Sequence, residues 1–423
     1  MAHLLVTALP FAGHVRPMTA VAAALLDREH YVTAYTGAHH ADAFDQLGCE
    51  VVQWSDAKDF DERDIAASTH EVGHLGPRGA FTGLHDLYLD TARGQVDDIL
   101  QAHARHPFDL IVGDAMSVGS GLAAELLGLP WATVALVPLT MRSKDLPPPG
   151  LALQPGTGLV GRLRDRLLRA MLPLQADRTE RAYRAVRAQV GLGPGRPFGD
   201  AIYSPQLVIA TGSALLEFPR SDLPEAVEFV GQLRPQVERL GPPPLWAETL
   251  ADEPRPVVFV TQGLFDTDPA DLLQPALDGL AIDQLRVIGT TAGRDVGDQV
   301  PPNARLVDYL PFAAVLPHVT VGVTNGGWGG VLEMLAAGVP LVVAGGTLDK
   351  PEIAARVAWS GAGVDLRTGR PRPIRLRDAV RRVITEPVFR ERARQIAADL
   401  ESLGGAARAA ELVEALLPPD PLP

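Results

Sequence analysis

Two doubly wound α/β domains facing each other across a cleft are the architecture this sequence predicts, and three observations predict it. The run Val323-Thr324-Asn325-Gly326-Gly327-Trp328-Gly329-Gly330-Val331-Leu332-Glu333, leading into Ala337-Gly338-Val339-Pro340, reads as a strand, a glycine-rich turn and a helix. A second strand-to-helix turn, Leu9-Pro10-Phe11-Ala12-Gly13-His14-Val15-Arg16-Pro17, opens the first half. At 423 residues the chain also exceeds what one hydrophobic core usually supports, so two domains of about 200 residues are expected. A helix N-terminus offers unpaired N–H groups and partial positive charge, and glycines admit a phosphate to the backbone. The later turn is therefore a natural seat for a diphosphate.

The elements follow in order. Leu4 to Leu9 reads as a buried strand, Pro17 to Asp27 as a helix with proline near its start, and Tyr31 to Thr36 as a strand, together a βαβ unit. Glu50 to Trp54 reads as a further strand, and Asp56 to Gly83 as a long polar loop. A helix near Leu84 to His103, the strand Leu110 to Asp114, a helix Gly121 to Leu127 and the strand Trp131 to Val137 come next. Lys144 to Gly158 is a proline- and glycine-rich loop, and Leu159 to Val190 reads as helical. Its arginines (Arg162, Arg164, Arg166, Arg169, Arg178, Arg181, Arg184, Arg187) interleave with Asp165, Asp177 and Glu180, which favours a solvated amphipathic face over a nucleic-acid surface.

Leu207 to Thr211 reads as the last strand of a first domain spanning 1–220, and the proline-rich segment 221–244 as a linker. A second domain, 245–403, carries the strands Val257 to Thr261, Leu285 to Ile288, Ala304 to Val307, Val319 to Thr324 and Leu341 to Ala344. After Gly404-Gly405 a last amphipathic helix, Ala406 to Leu417, lies in the segment 404–423.

Composition narrows the function. Residues are 46% hydrophobic and 21% charged, ordinary for globular domains. With Cys49 the single cysteine, neither an intramolecular disulfide nor a cysteine zinc cluster can form, which favours a reducing compartment. The net charge of −13 argues against nonspecific binding of nucleic acid or anionic lipid, so an anionic ligand must be held by a local field. No signal peptide opens the chain and no stretch of roughly 18 apolar residues follows; a cytoplasmic enzyme is expected.

His14 is the candidate base. It stands where the first strand meets a helix, at the sheet edge where ligands bind in open α/β folds, and the helix N-terminus is expected to keep it neutral near pH 7. The alternative is a surface or capping histidine. Asp114, at the end of the strand Leu110 to Asp114, could hydrogen-bond one imidazole nitrogen and stabilise the cation, or could cap the following helix; the residues leave both open. Asp266 and Asp268 have the spacing of a metal-binding pair, but Pro269 marks a turn and helix start, and no metal is expected. The glycine turn lacks the spacing of a dinucleotide fingerprint and lies on a late strand, which argues against a dehydrogenase.

On the Gly13-His14 turn and the stretch Ala304 to Leu366, the chain resembles the family 1 glycosyltransferases of the GT-B fold, in particular the bacterial macrolide-type enzymes that decorate natural products. The resemblance runs nearly the whole length. It implies His14 as the base on the acceptor hydroxyl, with Asp114 supporting it, and a nucleotide-sugar site in the second domain. There Tyr309 would stack on the nucleobase, Leu310 would read its edge through its amide, Glu333 would accept ribose hydroxyls, and Trp328 with Gly329 would line phosphate and sugar. Asp349 and Lys350 would face the donor sugar, and Gly263, Gly326 and Gly327 complete the donor set. The final helix would cross back onto the first domain. Three positions depart from the family: Asn325 replaces a phosphate-binding histidine, Gly330 a serine or threonine, and Lys350 a glutamine.

The implied reaction is inverting, metal-independent transfer of a sugar from a UDP- or dTDP-linked donor to a hydroxyl of a small apolar natural product, without a cofactor, by a monomer or homodimer. Nucleic acid and membrane are not expected partners. The rivals are a nucleotide-sugar epimerase of the same fold and a noncatalytic partner protein that has lost donor binding.

Overall fold

In the computed structural model of the chain, residues 1–62, 76–171, 173–235, 244–263, 266–282, 284–297 and 300–417 are described. Among them two parallel sheets carry the fold. The first contains β1 (His3–Thr7), β2 (Tyr31–Thr36), β3 (Glu50–Gln53), β4 (Leu110–Asp114), β5 (Trp131–Ala135), β6 (Leu207–Thr211) and β7 (Val227–Gly231), in the order β3-β2-β1-β4-β5-β6-β7. The second contains β8 (Val257–Thr261), β9 (Arg286–Thr290), β10 (Ala304–Val307), β11 (Val319–Thr324), β12 (Leu341–Val343) and β13 (Gly363–Asp365), in the order β10-β9-β8-β11-β12-β13. Parallel strands need crossovers and are covered by helices on both faces, so they read as continuous apolar runs. β4 and β8 are buried at every position.

This topology dictates where ligands sit. In each sheet the chain winds outward from one strand and then resumes on its other side, β1 beside β4 and β8 beside β11. At such a switch point the connecting segments diverge and leave a crevice beyond the carboxyl ends of the strands. The Gly13-His14 turn and Asp114 lie at the first crevice, and Gly263 and Asn325 at the second.

Several boundaries differ from the sequence reading: the expected polar loop Asp56 to Gly83 gives way to a helix, Gly76–Arg105, that starts eight residues before Leu84, and three further differences bear on the fold. The first helix runs Ala12–Leu26 with Pro17 inside it, so it starts five residues before the proline and His14 falls in its first turn. β7 lies within 221–244: the segment read as linker begins inside the first domain, because Val227 to Gly231 adds a strand beside β6. β13 was not foreseen, since Gly363-Val364-Asp365 lacks the apolar run that marks β12. Part of the expected linker (236–243), part of the polar loop (63–75) and the terminal 418–423 lie outside the described residues.

The arginine-rich stretch forms two helices, Gly158–Met171 and Pro173–Gln189. The first inverts the usual pattern. Leu159, Leu163, Leu167 and Met171 are exposed, whereas Asp165 is buried and accepts from the amide of Gly156 at 2.7 Å. The buried Arg187 of the second helix forks onto Glu125 with contacts of 2.7 and 2.8 Å.

The last helix, Gly405–Glu414, does cross back. Its Ala409, Ala410 and Val413 are fully buried in the core formed by β1, β2, β4, β6 and the helix Ala12–Leu26. Glu414 binds His30 at 2.8 Å and also pairs with Arg28. At the other end of this passage Gly231, at φ +79°, lies so close to the carbonyl of Leu400 that a Cβ would run into it. The C-terminal segment thereby closes the first domain's core. Val413→Ala should cost about 1–2 kcal/mol and lower the urea midpoint of unfolding. A midpoint indistinguishable from wild type would mean that this helix does not contribute to the first domain's core.

Candidate active site

His14 is positioned by the first turn of the helix Ala12–Leu26 and by one buried carboxylate. Asp114, 2% exposed, accepts from His14 Nδ1 at 2.7 Å through Oδ2, from the amide of Leu9 at 3.1 Å and from the amide of Met116 at 3.0 Å. Because a carboxylate only accepts, the imidazole must carry its proton on Nδ1, which leaves Nε2 bare to take another. Of the two readings of Asp114 left open by the sequence, the contact to His14 is present, whereas the following helix Val118–Leu127 has Ser117 at its N-cap and Asp114 binds the amide two residues on within the turn. Phe11 packs beside the ring with centroids 5.7 Å apart, and Phe60 packs on Phe11 at 5.0 Å.

The expected effect of the helix N-terminus on His14 is overturned. Burial does depress its pKa, but the charge and hydrogen bond of Asp114, with Asp349 and Glu62 at longer range, outweigh it and hold the pKa above the ordinary histidine value. A helix end carries about half a charge, and three carboxylates exceed it. Glu62 also accepts from the amide of Ala12 at 2.9 Å, capping that same helix end.

Asp349 belongs to the second domain, and its charge reaches His14 across the cleft. Burial raises the pKa of Asp349, while Lys350 and His14 pull it down. It caps the helix Lys350–Ser360 after Leu348, whose φ of +56° is a conformation that branched side chains rarely adopt. Leu348 packs against the first domain's cluster of Leu9, Phe11, Phe60 and Leu87. Tyr88, half-buried, lies near both Asp114 and Asp349, and burial raises its phenol. Tyr88, Glu62 and Leu348 were missed by sequence reasoning; nothing in their local pattern marks them.

In the second domain Asn325 and Gly326 follow β11, and the helix Trp328–Ala336 starts two residues after Gly326 with Gly327 at its N-cap position. Gly329 and Gly330 occupy its first turn, where a Cβ at Gly329 would meet nothing, so the backbone is open to a ligand. Glu333 is half-buried on the same helix. Gly263 holds φ +70° against Asn325 at the end of β8. Tyr309 is 60% exposed beyond β10, and Leu310 beside it is buried.

Two expectations fail at the side chains. Trp328 is 6% exposed, donates from Nε1 to Thr211 Oγ1 at 3.0 Å and packs on Gly212, where a Cβ would lie 2.7 Å from the indole. Its ring is an interdomain contact, and only its amide belongs to the turn. Lys350 is 4% exposed and donates to Asp266 Oδ1 at 2.7 Å, so its ammonium is bound within its own domain instead of facing the sugar freely. Asp266 and Asp268 also diverge: Asp268 binds the amide of Ala270 and pairs with Arg370. Gln262, buried and not foreseen, ties this loop together by donating to the carbonyls of Asp266 and Asp268 and accepting from the amides of Leu272 and Leu273.

The loop after Leu139 bridges the domains. Glu352 accepts from the amides of Gly150 and Ala152 at 2.9 and 2.8 Å, and Arg356 reaches Glu217 at 2.9 Å and the carbonyl of Leu139 at 3.3 Å.

Comparison with known proteins decides the family. The chain is 37% identical over 98% of its length, and over all of the relative, to 4'-demethylrebeccamycin synthase of Lentzea aerocolonigenes. It is a family 1 glycosyltransferase. Residues 278–416 match the family described as Erythromycin biosynthesis protein CIII-like, C-terminal domain. It is also 28% identical over 95% of its length, and 92% of the relative, to UDP-glycosyltransferase 2 of Phaeomoniella chlamydospora. In fold it is similar to a calicheamicin glycosyltransferase, with a TM-score of 0.75 at 24% identity over all of both chains. A spinosyn rhamnosyltransferase complexed with thymidine diphosphate gives 0.70 at 18% identity, over 98% of this chain and all of that one. The fold is therefore GT-B, and the protein is a glycosyltransferase of the natural-product type. Among the described residues no helix is long and apolar enough to cross a membrane.

If His14 serves as the base, activity depends on its neutral form. The rate constant kcat/KM should be low at acid pH, rise as pH passes the raised pKa of His14 and level off above it. Asp114→Asn removes the charge that raises this pKa, so its inflection should move to lower pH. A pH–rate profile whose inflection is identical in the variant would show that Asp114 does not set the ionisation of the base.

Proposed function

We propose that this glycosyltransferase moves a sugar from a nucleoside diphosphate to a hydroxyl of an apolar small molecule, with inversion at the anomeric carbon. The observation that carries the reading is the His14–Asp114 pair at the first switch point, set across the cleft from the glycine turn at the second. Nε2 of His14 takes the hydroxyl proton as the acceptor oxygen attacks, and the new imidazolium is stabilised by Asp114 with Asp349 near it. One direct displacement from the face opposite the leaving group inverts the centre.

The leaving diphosphate would lie at the start of the helix Trp328–Ala336, where the amides of Gly327 to Gly330 and the helix dipole balance the developing charge. Tyr309 would stack on the base and Glu333 would receive the ribose. We assign the acceptor to the cleft beside Phe11, Phe60, Tyr88 and Leu348, whose apolar lining suits a polyketide or aromatic acceptor. A metal ion is not required by this arrangement, since backbone amides and a helix end supply the positive field. The epimerase alternative would need no external acceptor and leaves the oriented base facing an apolar cleft without a role. The noncatalytic alternative leaves the oriented dyad itself without one.

His14→Ala should lower turnover by roughly 10² to 10⁴-fold while nucleoside diphosphate affinity, measured by calorimetry, stays within about twofold, since base and donor site lie in different domains. Retention of more than about a tenth of wild-type turnover removes His14 from the mechanism. Saturating EDTA should leave the rate unchanged. Strict dependence on added magnesium or manganese would contradict the metal-free seat.

A further inference from the structure

The two polar departures of the donor site, Asn325 and Lys350, are joined by a third residue. Asp266 Oδ1 accepts from Lys350 Nζ at 2.7 Å, and Asp266 Oδ2 accepts from Asn325 Nδ2 at 2.8 Å. Thr347 Oγ1 adds a contact to Oδ1 at 3.4 Å. Lys350 and Asn325 are almost wholly buried, whereas the Asp266 side chain keeps 17% of its surface. The cluster abuts the glycine turn: a Cβ on Gly326 would lie 3.4 Å from that of Lys350. A carboxylate thus already sits on the Lys350 ammonium and on the Asn325 amide, which also donates to the carbonyl of Gln262, between the starts of the helices Trp328–Ala336 and Lys350–Ser360.

We propose that Asp266 is an internal anion that holds this seat between turnovers and competes with the donor's diphosphate for Lys350 and Asn325. The inference rests on the donor site assigned above and goes beyond it by naming what controls its affinity. When the diphosphate arrives, Lys350 and Asn325 turn their donors to phosphate oxygens, and Asp266 is left beside a like charge. Loss of the sugar gives the product a terminal phosphate with a further ionisation near pH 6. Repulsion by Asp266 therefore weighs more on the product than on the donor and speeds product release. In this account Lys350 supplies the cation that the family's missing histidine would have contributed, and Asp266 keeps it from binding product too tightly.

Calorimetric titration of UDP, dTDP, UDP-glucose, uridine and thymidine into wild type, Asp266→Asn and Lys350→Gln tests the proposal. Asp266→Asn should tighten UDP and dTDP by about tenfold, UDP-glucose by less, and the nucleosides not at all, the size following from a unit charge a few ångströms away in a partly exposed site. Lys350→Gln should weaken the diphosphates by about tenfold or more and leave the nucleosides unchanged. Diphosphate affinity that is unchanged or weakened in Asp266→Asn overturns the proposal, because a residue that merely positions Lys350 would act in that direction. If Asp266→Asn does not fold, an unchanged UDP affinity in Lys350→Gln overturns it alone. Wild type that binds none of these nucleotides would instead refute the donor assignment, and this proposal with it.

Discussion

A carboxylate sealed inside a protein must have its lone pairs filled, and the three donors that fill those of Asp114 come from three different segments: the end of β1, the first turn of the helix Ala12–Leu26 and the start of the β4 crossover. Desolvation without partners would cost several kcal/mol, so the carboxylate fixes all three segments relative to one another. The orientation of His14 is a consequence of that constraint. Its Nδ1 is committed to Asp114, Nε2 is thereby exposed as the basic nitrogen, and the imidazolium formed on proton transfer already has its counter-ion. The parallel pairing of β1 with β4 brings two residues a hundred positions apart to one hydrogen bond.

The second domain solves a different problem at the equivalent place. Under the proposed donor assignment it holds charge that arrives and leaves, and the seat offered is one of backbone amides and a helix end, with Asn325, Lys350 and Asp266 at its margin. The cleft between the two sites is shaped by contacts that cross it. Trp328 is anchored on Thr211 and Gly212, Arg356 on Glu217, and Leu348 on the aromatic cluster of the first domain. In the proposed reaction these contacts would set the distance between base and donor, on which an in-line displacement depends.

Legibility in the sequence followed the range of the interactions. Strands buried on both faces announce themselves, and β2, β4, β6, β8, β10 and β11 were readable to the residue. β7 was hidden by flanking prolines and β13 by its glycine and aspartate, since both are recruited by pairing with a neighbour. Pro17 gave a false helix start because an early proline is compatible with several registers. The His14–Asp114 pair was readable because Asp114 ends β4 and His14 opens the helix that follows β1 at the same switch point. The pairing of Lys350 with Asp266, and the turn of Trp328 into the interface, were not: they join residues 84 and 117 positions apart and have no local signature. The ionisation of His14 was misjudged for the same reason, a nearby helix end being visible in the sequence and three converging carboxylates not.

The central claim is that Asp114 holds His14 with a bare Nε2 poised to accept a proton. Nitrogen-15 NMR of the histidine side chains in the whole protein, with His14 assigned by comparison with His14→Ala, observes this directly. The account predicts a neutral form protonated on Nδ1 alone, converting to imidazolium at a pH above that of an ordinary histidine. A neutral form protonated on Nε2, or a conversion below the ordinary value, would contradict it.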